Sequence, residues 1–285
     1  MSTISQVPIS YFVYSSLSCF SQRLGGALPG MWFMRAIQQA GRAPAAIRQT
    51  LYRMEAEDEI VARKMGRVKW YSASRYAQAE IDAGLARILR PSRRTWSGRW
   101  TIVHLRFGGG AAHRVARERV VALLAVEGFA LLGADSYIST SDAGPRVVNA
   151  LPGTVLPHVT VLAGTLLNTA PQKSLLALWN VPRLGLRYRA ALDRLRAIET
   201  TVQKGISDSD AFLLRFAVVF DYLQVAWDDP DLPRELLPID WLGHSARLLT
   251  ARLYRRLLPS ATRHAIRLCS EVATFRSTAL PRVTT

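Results

Sequence analysis

Pro44-Ala45-Ala46-Ile47-Arg48-Gln49-Thr50-Leu51-Tyr52-Arg53-Met54-Glu55-Ala56-Glu57 is the stretch from which the rest of the chain is read. A helix here puts Ile47, Leu51 and Met54 on one stripe and Arg48, Gln49, Tyr52 and Arg53 on the other. The first stripe suits a core. The second suits bases, since arginine pairs bidentately with guanine and glutamine with adenine. Directly afterwards, Ile60-Val61-Ala62-Arg63-Lys64 and Arg67-Val68-Lys69-Trp70-Tyr71 have strand-like alternation around Met65-Gly66, read as a two-residue turn. Arg63, Lys64, Arg67 and Lys69 make this hairpin basic, and such cations grip phosphate rather than bases.

Upstream, Pro8 opens a helix in which Ile9, Phe12, Val13, Leu17 and Phe20 recur with helical spacing, ending at Gly25-Gly26. Pro29 starts a second helix carrying Trp32, Phe33 and Ile37, and Gly41 is placed to end it in a left-handed conformation. Three helices followed by a hairpin form the winged helix-turn-helix, whose third helix enters the major groove. Ser74 to Leu89 reads as a helix leading out of the hairpin. Arg90-Pro91-Ser92-Arg93-Arg94 reads as a basic linker.

A new unit begins at Trp96-Ser97-Gly98-Arg99-Trp100. A strand, Thr101 to Phe107, leads through Gly108-Gly109-Gly110 to a helix with Val115, Val120, Leu123 and Leu124 as its apolar set. Strands at Phe129 to Leu132 and Val155 to Leu162 follow. This order predicts a small α+β sandwich of the ferredoxin-like kind. The glycine run lacks both G-x-G-x-x-G and the P-loop ending, and reads as a plain flexible turn.

From Ser174 the pattern is helical: a long segment broken at Pro182, a buried helix from Phe212 to Trp227, and a last helix after Pro238. In the last helix Leu242, Ala246, Leu249, Leu253 and Leu257 form a seam suited to a core or a dimer face, with Arg247, Arg252, Arg255 and Arg256 on a solvated face. The predicted class is α+β, with an N-terminal winged helix-turn-helix (1–92), a ferredoxin-like middle domain (93–172) and a helical C-terminal effector and dimerisation domain (173–285).

The net charge of +16 over 285 residues points to a polyanionic partner. Residues 1–94 hold 14 basic against 6 acidic residues, so 14 − 6 leaves +8, half of the total in a third of the chain. Acidic membranes attract such a charge too. The apolar run from Val7 to Phe20, however, is too short to span a bilayer and lacks a basic start. Cys19 and Cys269 stand far apart without a C-x-x-C partner and read as reduced thiols of a cytoplasmic protein. His104, His113, His158, His244 and His264 are scattered, with no H-E-x-x-H, so no metal site is expected. Neither G-x-S-x-G nor a cysteine nucleophile motif is present. The alternative reading is an enzyme acting on nucleic acid or coenzyme A thioesters, with the winged helix as a targeting module.

With these elements placed, the chain resembles the PaaX family, repressors of phenylacetate-degradation genes, over nearly its whole length. The resemblance rests on A-I-R-Q-T-L-Y-R-M (46–54), G-R-V-K-W-Y (66–71), W-S-G-R-W-T-I-V (96–103), L-W-N-V (178–181) and D-P-D-L-P-R-E-L-L-P-I-D-W-L-G (229–243). It implies a homodimeric repressor that binds a palindromic operator. An aryl-coenzyme A thioester, typically phenylacetyl-coenzyme A, would release it, and no other cofactor is implied. The thioester is anionic at one end and apolar at the other, and Arg99, Arg106 and Arg114 are its candidate partners. The resemblance also implies a middle domain similar to the small CRISPR-associated nucleases, which place an aspartate at the end of their first strand. Here that strand has no acid, so nuclease activity is not implied. The chain departs from the family at Val219-Phe220-Asp221-Tyr222-Leu223, where a histidine and an arginine are commonly found.

Overall fold

The computed structural model describes residues 4–21, 25–89, 96–140, 143–167 and 172–270. The expected linker at 90–94 lies outside them. The chain divides into two compact units, Met1–Arg90 with Ala190–Gln224 and Ser245–Thr285, and Pro91–Arg189 with Val225–His244.

The first unit opens with α1 (Ile9–Ser16), α2 (Gly30–Gln38) and α3 (Pro44–Ala56). Pro29 precedes α2 in extended conformation, and Gly41 adopts φ +77° after it, a region closed to most residues with a side chain. The short strand β1 (Leu28–Pro29) pairs antiparallel with β3 (Val68–Ala73), which pairs in turn with β2 (Ile60–Met65). The hairpin loop is Gly66-Arg67, one residue later than expected, because Met65 still pairs with Val68. Gly66 takes φ +60° at the first loop position, as a primed hairpin turn requires. Helix α4 (Arg75–Leu89) follows, capped where Ser74 Oγ accepts from the Ala77 amide at 3.1 Å.

The core of this unit contains Phe12, Val13, Phe20, Trp32, Phe33, Ile37, Ile47, Leu51, Met54, Ile60 and Tyr71. It is completed by Phe212 and Phe216 of α9 (Asp208–Ala226) and by Ala261, Ala265 and Leu268 of α10 (Gly243–Ser270). Phe20 stacks on Phe212 at 5.5 Å between ring centroids, and Phe12 meets Phe216 at 4.8 Å. Parts of these two helices therefore complete the N-terminal core, while other buried residues of the helical region, among them Leu192, Leu195, Val218, Leu249 and Leu253, lie outside that cluster. The seam of α10 is core, with Ala246, Leu249, Leu253 and Leu257 all buried. Arg247, expected on a solvated face, is buried too. Arg215 of α9 is only 2% exposed. Its guanidinium lies 3.6 Å from the Tyr254 ring centroid, donates to the Tyr254 carbonyl, and reaches Cys19 Sγ at 3.6 Å.

The second unit holds β4 (Trp100–Leu105), α5 (Ala111–Val126), β5 (Ala130–Gly133), β6 (Ser136–Ser139), α6 (Gly144–Ala150) and β7 (Val159–Gly164). Its sheet runs β5-β6-β4-β7 with every neighbour antiparallel. One face, with Val103, Leu105 and Tyr137, packs on Val120 and Leu124 of α5 and Val147 of α6. The other, with Trp100 and Ile138, packs on Leu175 of α7 (Gln172–Ala177) and on Leu236. Val115, expected in the apolar set of α5, is 42% exposed. The last strand begins at Val159 because Leu156–His158 form a 3-10 turn after Val155. Pro182 does not break a helix but sits in the first turn of α8 (Val181–Gln203), where a missing amide hydrogen costs nothing.

Candidate nucleic-acid interface

Helix α3 starts with Pro44 at its first position, and its apolar residues come every three or four. Ile47 and Met54 are 0% exposed and Leu51 4%, so the stripe faces the core. Arg48, Gln49, Tyr52 and Arg53 consequently face solvent together, and Tyr52 is 74% exposed. Arg53 is tied down: it donates to Glu57 one turn later and lies 3.9 Å from Glu59.

The structure does not bring the four hairpin cations onto one face. Lys64 and Lys69 are register partners and leave the sheet on the side of Ala62 and Tyr71, which pack on the core. Arg63, opposite Trp70, leaves on the other side, and Arg67 stands in the loop. Lys69 Nζ donates to Glu55 Oε2 of α3 at 2.6 Å and lies 5.6 Å from the Tyr71 ring centroid. The Glu55 carboxylate holds the Lys69 ammonium above its ordinary range. Sequence reasoning missed Glu55, Glu57 and Glu59 as partners of these cations. Arg53 with Glu57 is at helical spacing and was legible; Glu55 with Lys69, 14 residues apart, was not.

A second feature belongs to the other unit. A cleft of about 460 Å³ is lined by Phe107, Gly108, Gly109, Gly110, Ala111, His113, Arg114 and Arg117, at the start of α5. Gly110 takes φ +108°, a conformation for which glycine is suited. Phe107 stacks on His158 at 5.2 Å, and His113 lies 4.9 Å from His158. The His113 Nδ1 atom is buried with no hydrogen-bond partner among the described residues, and Arg117 pairs with Asp135 at 2.7 Å. Of the three expected effector residues, Arg114 lines this cleft. Arg106 lies beside it in sequence, with its backbone amide donating to the His158 carbonyl at 2.8 Å. Arg99 is exposed and is not among the lining residues. His113, His158 and Arg117 had no signal beyond a glycine run that precedes a helix.

Among the described residues no group of three or more His, Cys, Asp or Glu could hold a metal ion. No described helix is long and apolar enough to cross a membrane.

Residues 179–267 match the model of the PaaX-like protein C-terminal domain family. The chain is 23% identical over 223 residues to the transcriptional repressor PaaX of Escherichia coli strain K12, covering 75% of this chain and 69% of that protein. In structure it resembles the uncharacterized protein Rv0674 from Mycobacterium tuberculosis, with a TM-score of 0.55 and 20% identity over 84% of this chain and 90% of the other. The last likeness shows a shared fold alone.

Proposed function

We propose that this chain, a relative of PaaX with a PaaX-like C-terminal domain, is a transcriptional repressor that reads its operator with α3 and grips the flanking phosphates with the β2–β3 hairpin. The observation that carries the reading is the exposed face of α3. Arg48, Gln49 and Tyr52 are held in water by a buried stripe on the opposite side of the same helix. Supporting it, three helices followed by a small antiparallel sheet are consistent with a winged helix-turn-helix. The order β5-β6-β4-β7 with two crossover helices is consistent with a ferredoxin-like middle domain. The protein is a regulator and not an enzyme.

The finer part of the proposal concerns its control. The repressor acts as a homodimer on a palindromic site of an aromatic-acid catabolic operon, and an aryl-coenzyme A thioester such as phenylacetyl-coenzyme A releases it. The cleft at the start of α5 supports an effector of this chemistry. Arg114 and the amides at the helix start suit phosphate, and Phe107 with His158 offers an aromatic wall. Release follows when the effector favours a dimer shape whose reading helices no longer match half-sites one helical turn apart.

The test is a mobility shift of promoter DNA from beside the protein's own gene, with and without aryl-coenzyme A thioesters. The expected result is binding that weakens steeply with salt and is lost on adding the effector. Absent or salt-insensitive binding overturns the repressor. Binding that persists with every thioester overturns the effector and leaves the repressor standing.

A further inference from the structure

Charge alone assigns Lys64 and Lys69 the same task. Their geometry separates them. They are directly opposite in the hairpin and leave the same face, an arrangement in which like charges repel. Glu55, in the last turn of α3, takes one of the two: its carboxylate accepts from Lys69 Nζ at 2.6 Å. On its other side Lys69 lies over the ring of Tyr71, 5.6 Å from the centroid. That ring meets Phe33 of α2 edge-on at 6.0 Å, and Phe33 is fully buried. A Cβ added to Gly30 would stand 3.4 Å from Tyr71 Cε2, so the ring also lies close against the start of α2. Lys69 is thus set between a carboxylate of the reading helix and an aromatic ring anchored in the core. Lys64, across from it, has no ion pair among the described residues.

We propose that Glu55 and Lys69 are a positioning pair, in which Glu55 fixes the hairpin on the reading helix through Lys69 and leaves Lys64 as the cation that meets phosphate. The inference rests on the DNA-binding reading of α3 and the hairpin. It removes Lys69 from the phosphate contacts and gives an acidic residue, which should by itself repel DNA, a part in binding it. Both partners are about half or one-third exposed, at 48% and 31%, and exposed ion pairs add little to folding stability. The consequence therefore lies in hairpin orientation and not in the melting temperature. Arg53 with Glu57 differs, since that bond joins residues one helical turn apart and holds no second element.

The experiment uses the full chain and the same promoter fragment, with affinity measured against salt for Lys64→Gln, Lys69→Gln, Glu55→Gln, the Glu55→Gln/Lys69→Gln double variant and Lys69→Arg. Lys64→Gln lowers the slope of log affinity on log salt by about 0.9, the release expected from one phosphate contact. Lys69→Gln weakens binding several-fold without changing that slope, and Lys69→Arg, which keeps the bond, restores it. Glu55→Gln does not tighten binding, and the double variant is no weaker than Lys69→Gln. All variants melt with the wild type. The pairing is overturned if Lys69→Gln lowers the slope as Lys64→Gln does. It is equally overturned if Glu55→Gln tightens binding whether or not Lys69 is present. If Arg48→Ala and Lys64→Gln leave binding untouched, the DNA-binding reading fails and this pairing with it.

Discussion

Trp32, fully buried in α2, donates its indole Nε1–H to the carbonyl of Ala265 near the end of α10, at 3.0 Å and across 233 residues of sequence. Through this bond and the packing of Ala261, Ala265 and Leu268, the last helix becomes part of the core beneath α3. Trp32→Phe keeps a ring in place but leaves the Ala265 carbonyl without that donor, at a cost of about 1–3 kcal/mol. Thermal unfolding followed by circular dichroism should show the lower melting temperature. Promoter binding well below the transition should match the wild type; a variant that melts with the wild type would mean the bond is not formed in solution.

Arg48 and Lys64 should fail in different ways. Arg48→Ala relaxes preference at a single base position, by about 1–3 kcal/mol of discrimination, because a bidentate contact to a base edge is lost. Lys64→Ala weakens binding to every sequence alike. A panel of operator variants with one base changed at a time separates the two, and equal behaviour of both proteins would contradict the base-facing assignment of α3.

Asp208, in the first turn of α9, accepts from Arg263 at 2.8 Å and from Arg267 at 2.9 Å, both on α10. Hydrogen bonds from the two guanidinium groups hold its carboxyl at about 2, below the ordinary 3.8. A carboxyl lowered on folding contributes stability that is present above its unfolded value and is lost as pH falls from about 4 through 2. Asp208→Asn should therefore lower stability at neutral pH and unfold with a shallower acid dependence over that window. Chemical unfolding at a series of pH values reads this directly, and parallel profiles for the two proteins would refute it.

Arg114 should matter to the effector and not to free repressor. Arg114→Ala removes a charge-assisted contact from the cleft, and the thioester concentration needed to release DNA should rise about tenfold. Affinity for promoter DNA without effector should stay the same. An unchanged release curve would place the effector elsewhere.

Local periodicity made much of this legible in advance. The stripe Ile47, Leu51, Met54 is buried as its spacing required, and Gly41 does end its segment at positive φ. The blocks that resemble the PaaX family agree with the likeness to the Escherichia coli repressor PaaX, and the longest, 229–243, falls inside residues 179–267, which match the PaaX-like C-terminal domain. The turn at Gly66-Arg67 was misplaced by one residue because alternation gives face and not strand end. Strand β6, Ser136-Tyr137-Ile138-Ser139, has no polar–apolar alternation, and helix α6, seven residues long, is too short for a period to emerge, so neither was legible. The cleft was half visible: a glycine run before a helix can be seen in a sequence, but the approach of His158 to Phe107 and His113 across the sheet cannot.

By itself the sequence determined which residues of α3 turn inward and which face solvent, since helical geometry converts a spacing of three or four into a side. It also determined that the hairpin is basic and where the family resemblance lies. Only the tertiary structure decided that α9 and α10 complete the core under α3, and that Lys69 is held by Glu55 while its register partner Lys64 is not. The physical reason is the same in both cases. Helix and strand periods act over a few neighbouring residues, whereas burial and ion pairing depend on which surfaces meet, and those surfaces here lie 14 to 233 residues apart along the chain.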